Sequence, residues 1–118
     1  LIPKKPKQIL DFFPKLDDSV KNPRTKIRFI DQNGHSWVFN FIHYNNKKWG
    51  GTRNEFRLTG ITPFLRQNSI YSGDEIEFSQ DSHNQYHIRF SKFEATNENN
   101  NIQVKLKLSH NWRVVPLK

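Results

Sequence analysis

Between Tyr44 and Arg57 the chain reads Tyr-Asn-Asn-Lys-Lys-Trp-Gly-Gly-Thr-Arg-Asn-Glu-Phe-Arg, a stretch dense in groups that recognise planar polar edges and anions. An Asn carboxamide matches the donor and acceptor pair on an adenine edge, and an Arg guanidinium matches guanine O6 and N7. Asn45, Asn46, Asn54, Arg53 and Arg57 are therefore candidate base readers. Lys47 and Lys48 supply flexible point charges suited to phosphate. Tyr44 and Trp49 supply rings that pack on bases or sugars, Thr52 adds a hydroxyl, and Gly50-Gly51 allows close backbone approach. Glu55 has the opposite sign and three readings. It orients a neighbouring side chain, accepts from cytosine N4, or forms a cross-strand ion pair with an Arg worth less than about 1 kcal/mol. The competing account of the whole stretch is a solvated hairpin loop. Trp49 separates the two, because an exposed Trp in a basic loop is costly unless a partner covers it or it folds back onto the body of the protein.

The charge balance points the same way. The 118 residues hold 19 Lys plus Arg against 11 Asp plus Glu, a formal charge of +8. Such an excess speaks about partners and solubility, and a phosphate backbone rewards it through counterion release. A membrane surface or no partner at all are the alternatives. Lys4 and Lys5 form a second basic pair, either contacting phosphate and base or standing as an ordinary charged terminus. Lys105 and Lys107 read more simply as a solvated sheet face than as a phosphate stripe, and Lys21 and Arg24 stand between the same two readings.

Catalytic chemistry finds no foothold. His35, His43, His83, His87 and His110 are scattered, without metal-ligand spacing. His43 borders the basic stretch, where a core or rim histidine is the simpler account. Asp17-Asp18 and Asp74-Glu75 read as turn carboxylates. Without cysteine there is neither a disulfide framework nor a thiolate zinc site, and no cofactor is implied. No apolar run approaches the ~20 residues of a membrane-spanning helix. With no Met anywhere, the sequence reads as a piece of a longer chain, binding and not catalytic by itself.

The elements that must position the basic stretch are mostly strands. Pro6 to Pro14 predicts a short helix, with Pro6 in its first turn and Ile9, Leu10 and Phe13 on one side. The Asn22-Pro23 pair marks a turn. Lys26 to Asp31 and Ser36 to His43 alternate with period two around Gln32-Asn33-Gly34, a hairpin signal. Trp37, Phe39 and Phe41 then share one face, and Val38, Asn40 and Ile42 the other. Asn54 to Thr59 predicts a strand with Phe56 and Leu58 inward. Thr62 caps a short helix carrying Phe64 and Leu65. Strands follow over Glu75 to Gln80, Tyr86 to Phe90, Ile102 to Leu108 and Trp112 to Leu117, with an Asn-rich loop at Asn97 to Asn101. The expectation is one mainly β domain over residues 1–118, an open seven-stranded pseudobarrel with two short helices.

Three stretches in fixed order resemble a known family. Leu1-Ile2-Pro3-Lys4-Lys5 with Phe12-Phe13-Pro14, then Asp31 to Phe39 as D-x-x-G-x-x-W-x-F, then Leu58-Thr59-Gly60 with Ile70 to Phe78, are similar to the plant B3 domain. Ile61 stands where that family carries Trp. Gly51 to Thr59 looks closer to the B3-like recognition domains of bacterial restriction endonucleases such as EcoRII, BfiI and NgoAVII. The resemblance implies a pseudobarrel that reads double-stranded DNA through the major groove with two arms. It places Lys4 and Lys5 at the edge of an incomplete N-arm, and Tyr44 to Arg57 in the C-arm. The preferred parent is then a restriction endonuclease, cytoplasmic and bacterial, whose nuclease domain is a partner outside this chain. The alternatives are a plant-type transcription-factor domain, which would be nuclear, and a basic OB-like barrel for single strands.

Overall fold

Alternating sequence becomes strand wherever one face has a core to meet. Ile27 and Phe29 are buried on β1 (Arg24–Ile30) while Arg24, Lys26 and Arg28 face out. On β2 (Ser36–Tyr44) Phe39 and Phe41 are buried while Val38 is half exposed. The computed structural model describes residues 1–92, 103–107 and 111–115, the last two stretches as backbone with the Trp112 ring. The remaining elements are α1 (Lys7–Asp11), β3 (Glu55–Thr59), α2 (Thr62–Gln67), β4 (Glu75–Gln80), β5 (Tyr86–Ser91), β6 (Gln103–Lys107) and β7 (Asn111–Val115). None of the described helices is long and apolar enough to cross a membrane.

Five strands with described interiors form an open sheet in the order β3-β2-β1-β5-β4, antiparallel except for β1 against β5. The backbone ladders of β6 and β7 continue that order beyond β4. The mainly β architecture with two short helices is as expected. The expected strands over 102–108 and 112–117 are given as backbone at 103–107 and 111–115. The Asn-rich loop and the Lys105 and Lys107 side chains lie outside the described residues.

The sheet curls around aromatic side chains. Flat, β2 and β4 would stand ~14 Å apart, three inter-strand spacings. The Phe13 ring nevertheless lies 4.8 Å from Phe41 on β2 and 6.5 Å from Phe78 on β4, centroid to centroid. Phe64 of α2 plays the same part elsewhere, touching Trp37, Phe39 and Phe90. Helix α1 is shorter than its prolines suggested, and Pro6 sits at its cap rather than in its first turn. Thr62 does not cap α2: Ile61 occupies the cap, and Thr62 with Pro63 opens the first turn. The Pro63 ring supplies the fixed φ there, so no side-chain cap is needed to start it.

Two tight turns use one device. Asp31 Oδ1 accepts from the amides of Asn33 and His35 at 2.8 and 3.0 Å, and Gly34 follows at φ 85°. Asp81 Oδ1 accepts from the amides of His83 and Gln85 at 2.8 and 3.0 Å, and Asn84 follows at φ 65°. Each carboxylate folds its own hairpin by satisfying amides that strand pairing leaves over. Asp31 also accepts from the Trp37 indole at 2.9 Å and is only 5 % exposed. Burial pushes its carboxyl up, but the bonds from Trp37, His35 and Asn33 outweigh this and hold it below its ordinary 3.8. Asp81 is held down at about 2 by its bond from His87 and by the two turn amides.

Asp31→Ala leaves the indole and two amides without their acceptor, so it should cost about 1–3 kcal/mol in urea unfolding at neutral pH. Because the folded carboxyl titrates below its ordinary value, that contribution is complete above pH 3.8 and lost as pH falls through the lower folded value. The difference between wild type and Asp31→Ala should therefore shrink in strong acid.

Candidate nucleic-acid interface

The basic stretch is a framed arm rather than a slack loop. Strands β2 and β3 pair up to Tyr44 opposite Glu55, and residues 45–54 form the excursion between them. Asn46 to Trp49 make one 3-10 turn, closed by Gly50 at φ 88°. Two amide side chains build this frame. Asn46 Oδ1 accepts from the Arg53 amide at 2.8 Å, and the Asn46 carbonyl accepts from the Gly51 amide at 2.9 Å. A Cβ at Gly51 would lie 2.7 Å from the Asn46 carboxamide, so the glycine leaves the space that the staple occupies.

Asn45 is reassigned by its surroundings. It is 2 % exposed, its Oδ1 accepts from the Asn22 amide at 2.7 Å, and its Nδ2 donates to the Val20 carbonyl at 3.0 Å. In return the Asn45 amide donates to Asn22 Oδ1 at 3.2 Å. Its carboxamide is spent on backbone, so the candidate reader is a pin between the arm and the 17–22 turn. Asn22 sits at φ 51°, a conformation that asparagine tolerates better than most side chains. The Asn22-Pro23 pair signals a turn in the sequence; nothing in it signals the partner 23 residues away.

His43 makes the second connection. Its ring stacks on Phe56 at 3.9 Å, with Nδ1 3.1 Å from Asp18 Oδ1 and Nε2 2.9 Å from Asn54 Oδ1. A histidine expected at the rim thus joins the 17–19 turn to the base of the arm. It also occupies one face of Asn54, which reduces that residue's freedom as a reader.

What remains outward is cationic and aromatic. Lys47, Lys48, Trp49, Thr52 and Arg53 are exposed, Trp49 at 48 %. Lys48 Nζ donates to the Asp18 carbonyl at 3.1 Å. The Arg53 guanidinium lies 3.9 Å over the Tyr44 ring and donates to Glu55 Oε2 at 2.8 Å. Arg57 Nε donates to the same oxygen at 2.6 Å. Glu55 therefore takes the ion-pair reading in the free protein, with both arginines at once: one carboxylate oxygen holds them on one outward face. Bonds from Arg53 and then Arg57 hold its carboxyl down at about 2, against an ordinary 4.5. Ile2 bridges Phe56 antiparallel, its amide donating to the Phe56 carbonyl at 2.8 Å. That direction runs exposed Lys4 and Lys5 along the β3 edge toward the arm. The predicted residues thus gather at one end of β2 and β3, with Asn45 turned inward.

Because the folded Glu55 carboxyl is depressed, the two-arginine clamp persists as pH falls through 4.5 and opens only near 2. A carbon-detected NMR titration should place the Glu55 midpoint near 2 in wild type and move it back toward 4.5 in Arg53→Ala or Arg57→Ala. A wild-type midpoint near 4.5 would mean that neither bond is held in solution. Asn45→Ala, by contrast, strips the pin from buried amides and should lower stability by about 1–3 kcal/mol in urea unfolding.

Comparison with known proteins gives similarity at the level of sequence. No family model matches the chain, and no solved structure matches it. Over 76 residues, 64 % of the chain, it is 30 % identical to Auxin response factor 10 of Oryza sativa, in both subspecies indica and japonica. Over 82 residues, 67 % of the chain, it is 28 % identical to the B3 domain-containing transcription factor NGA2 of Arabidopsis thaliana. The chain spans about 10 % of the first relatives and 26 % of the second. This weak homology to plant B3 proteins supports reading the chain as B3-like.

Proposed function

We propose that this chain is a B3-like module that recognises double-stranded DNA through the Tyr44–Arg57 arm, of the kind plant transcription factors carry. The observation that carries the reading is the arm's division of labour. Asn45 and Asn46 are consumed in building the frame, while Arg53, Arg57, Lys47, Lys48 and Trp49 remain on its outside. A guanidinium pre-set over a tyrosine ring and against a carboxylate presents a fixed fork, which suits a base edge better than a mobile charge does. The apolar alternation of the strands is spent on the core, so among the described residues the sheet offers no row of outward rings on which single-stranded bases would stack. That favours the duplex over the single-strand reading.

The plant relatives favour a transcription-factor parent, and with it a nuclear location, over the restriction-endonuclease parent and its nuclease partner. In either setting the module binds and leaves any chemistry to other parts of its protein.

Selection from random duplexes should enrich a motif of ~4–6 base pairs, each bidentate contact giving ~1–3 kcal/mol of discrimination. On the selected site Arg53→Ala should cost ~1–3 kcal/mol and relax one base position, whereas Lys47→Ala should weaken selected and scrambled DNA alike. Lys47→Ala should also reduce the slope of log K against log salt by about one. If Arg53→Ala leaves the ratio of selected to scrambled affinity unchanged, the arm is an electrostatic anchor and does not read sequence.

A further inference from the structure

The outer face of β1 carries a charge pattern that neither the core nor the arm explains. Arg24, Lys26 and Arg28 alternate with Thr25, Ile27 and Phe29, and all three cations are exposed. Successive cations on one strand face stand ~7 Å apart, within the ~8 Å screening length at physiological salt, so they repel one another. Their cross-strand neighbours give no relief. Arg24 faces Ile42, Lys26 faces Asn40, and Arg28 faces Val38. One strand further out, Ile42 faces Arg57 and Asn40 faces Thr59. On the β2 and β3 side no acidic residue stands in these three rows, and among the described residues neither Lys26 nor Arg28 has a carboxylate partner; on the β5 side Gln85 lies beside Arg28, and Asp81 beyond it is paired with His87.

The far side of the same sheet is built differently. There Glu77 faces Arg89 on β5. Opposite charges across strands are what a sheet uses to stabilise itself. An acid-free ladder on β1 therefore costs the free protein stability that a polyanion would return.

We propose that Arg24, Lys26 and Arg28 form a second cationic track that holds phosphates of the duplex flanking the segment engaged by the arm. The inference rests on the duplex reading given above and extends it to the footprint. The track is continuous with the arm: Arg24 lies two strands from Arg57 in one row, ~10 Å away by strand spacing. It runs ~14 Å along β1, long enough to meet about four phosphates on one strand at 3.4 Å each along the helix axis. A polyanion of regular charge fits this ladder, because its three cations recur at an even ~7 Å along one strand face.

The test compares wild type, Lys47→Ala, Lys26→Gln and the triple variant Arg24→Gln, Lys26→Gln, Arg28→Gln on random-sequence duplexes of about 12 and about 32 base pairs. Salt slopes and urea midpoints are measured for each. Wild type should show a steeper salt slope on the longer duplex. The triple variant should lose two to three units of slope there, at about 0.9 per phosphate, and show equal slopes on both lengths. Its urea midpoint should be unchanged or raised, because repulsion is removed. Lys26→Gln alone should lose about one unit, which keeps the test decisive if the triple variant fails to fold. Unchanged slopes in both β1 variants, with Lys47→Ala still losing one unit, would overturn the track and leave the arm intact. Absence of salt-dependent duplex binding in wild type would overturn the duplex reading itself, and the track with it.

Discussion

Phe13 stacks on Phe41 at 4.8 Å and reaches Phe78 at 6.5 Å, so one ring ties β2 to β4 across the inside of the sheet. Helix α1, with five residues, is far too short to be stable by itself. It is held because Ile9 and Phe13 are buried in the shared core. The same burial bends the sheet and consumes its apolar face. Phe78 then closes the interior by meeting Phe29 on β1 and Trp112 on β7. With the interior filled in this way, the sheet's outer face and its β2–β3 excursion carry mostly polar and charged side chains, interspersed with Val38, Ile42 and Trp49.

The excursion is ordered by amides more than by apolar packing. Each buried peptide group near the arm requires a partner, and an unmet one would cost ~1–3 kcal/mol. Asn45 and Asn22 answer that requirement reciprocally, each accepting from the other's main-chain amide. His43 adds a link between Asp18 and Asn54 while its ring packs on Phe56. The 17–22 turn is thereby part of the arm's foundation, although it lies far from the arm in sequence.

Much of this was legible residue by residue. Period-two alternation marked β1, β2 and β5, although β2 also buries Ile42 and His43 and β4 also buries Glu77 on the face turned from the core. The D-x-x-G-x pattern at Asp31 marked its turn, and Asp81-Ser82-His83-Asn84-Gln85 repeats it with Asn84 in place of Gly34. The roles of the asparagines were not legible. A carboxamide that can pair with adenine can equally pair with a peptide group, and only burial decides which. Asn45 faces inward and Asn46 binds across its own loop, facts of register that composition does not carry. Likewise, the acid-free ladder of β1 depends on which strands flank it. In sequence, Lys26 and Arg28 look like any solvated strand face.

Glu55 shows how a negative group can serve a cationic site. Left alone, Arg53 and Arg57 on one strand face would repel each other and sample many rotamers. A single carboxylate oxygen at 2.8 and 2.6 Å from the two guanidinium groups removes both problems, and the Tyr44 ring fixes the plane of Arg53 from beneath. Ordering these side chains in the free protein lowers the entropy that would otherwise be lost on binding. The arrangement has a second consequence, for selectivity. The negative charge of Glu55 lowers the pull of the two arginines on any polyanion, which weakens indiscriminate binding. The carboxylate therefore sacrifices some electrostatic attraction toward any polyanion while keeping the fork aimed for a planar acceptor pair.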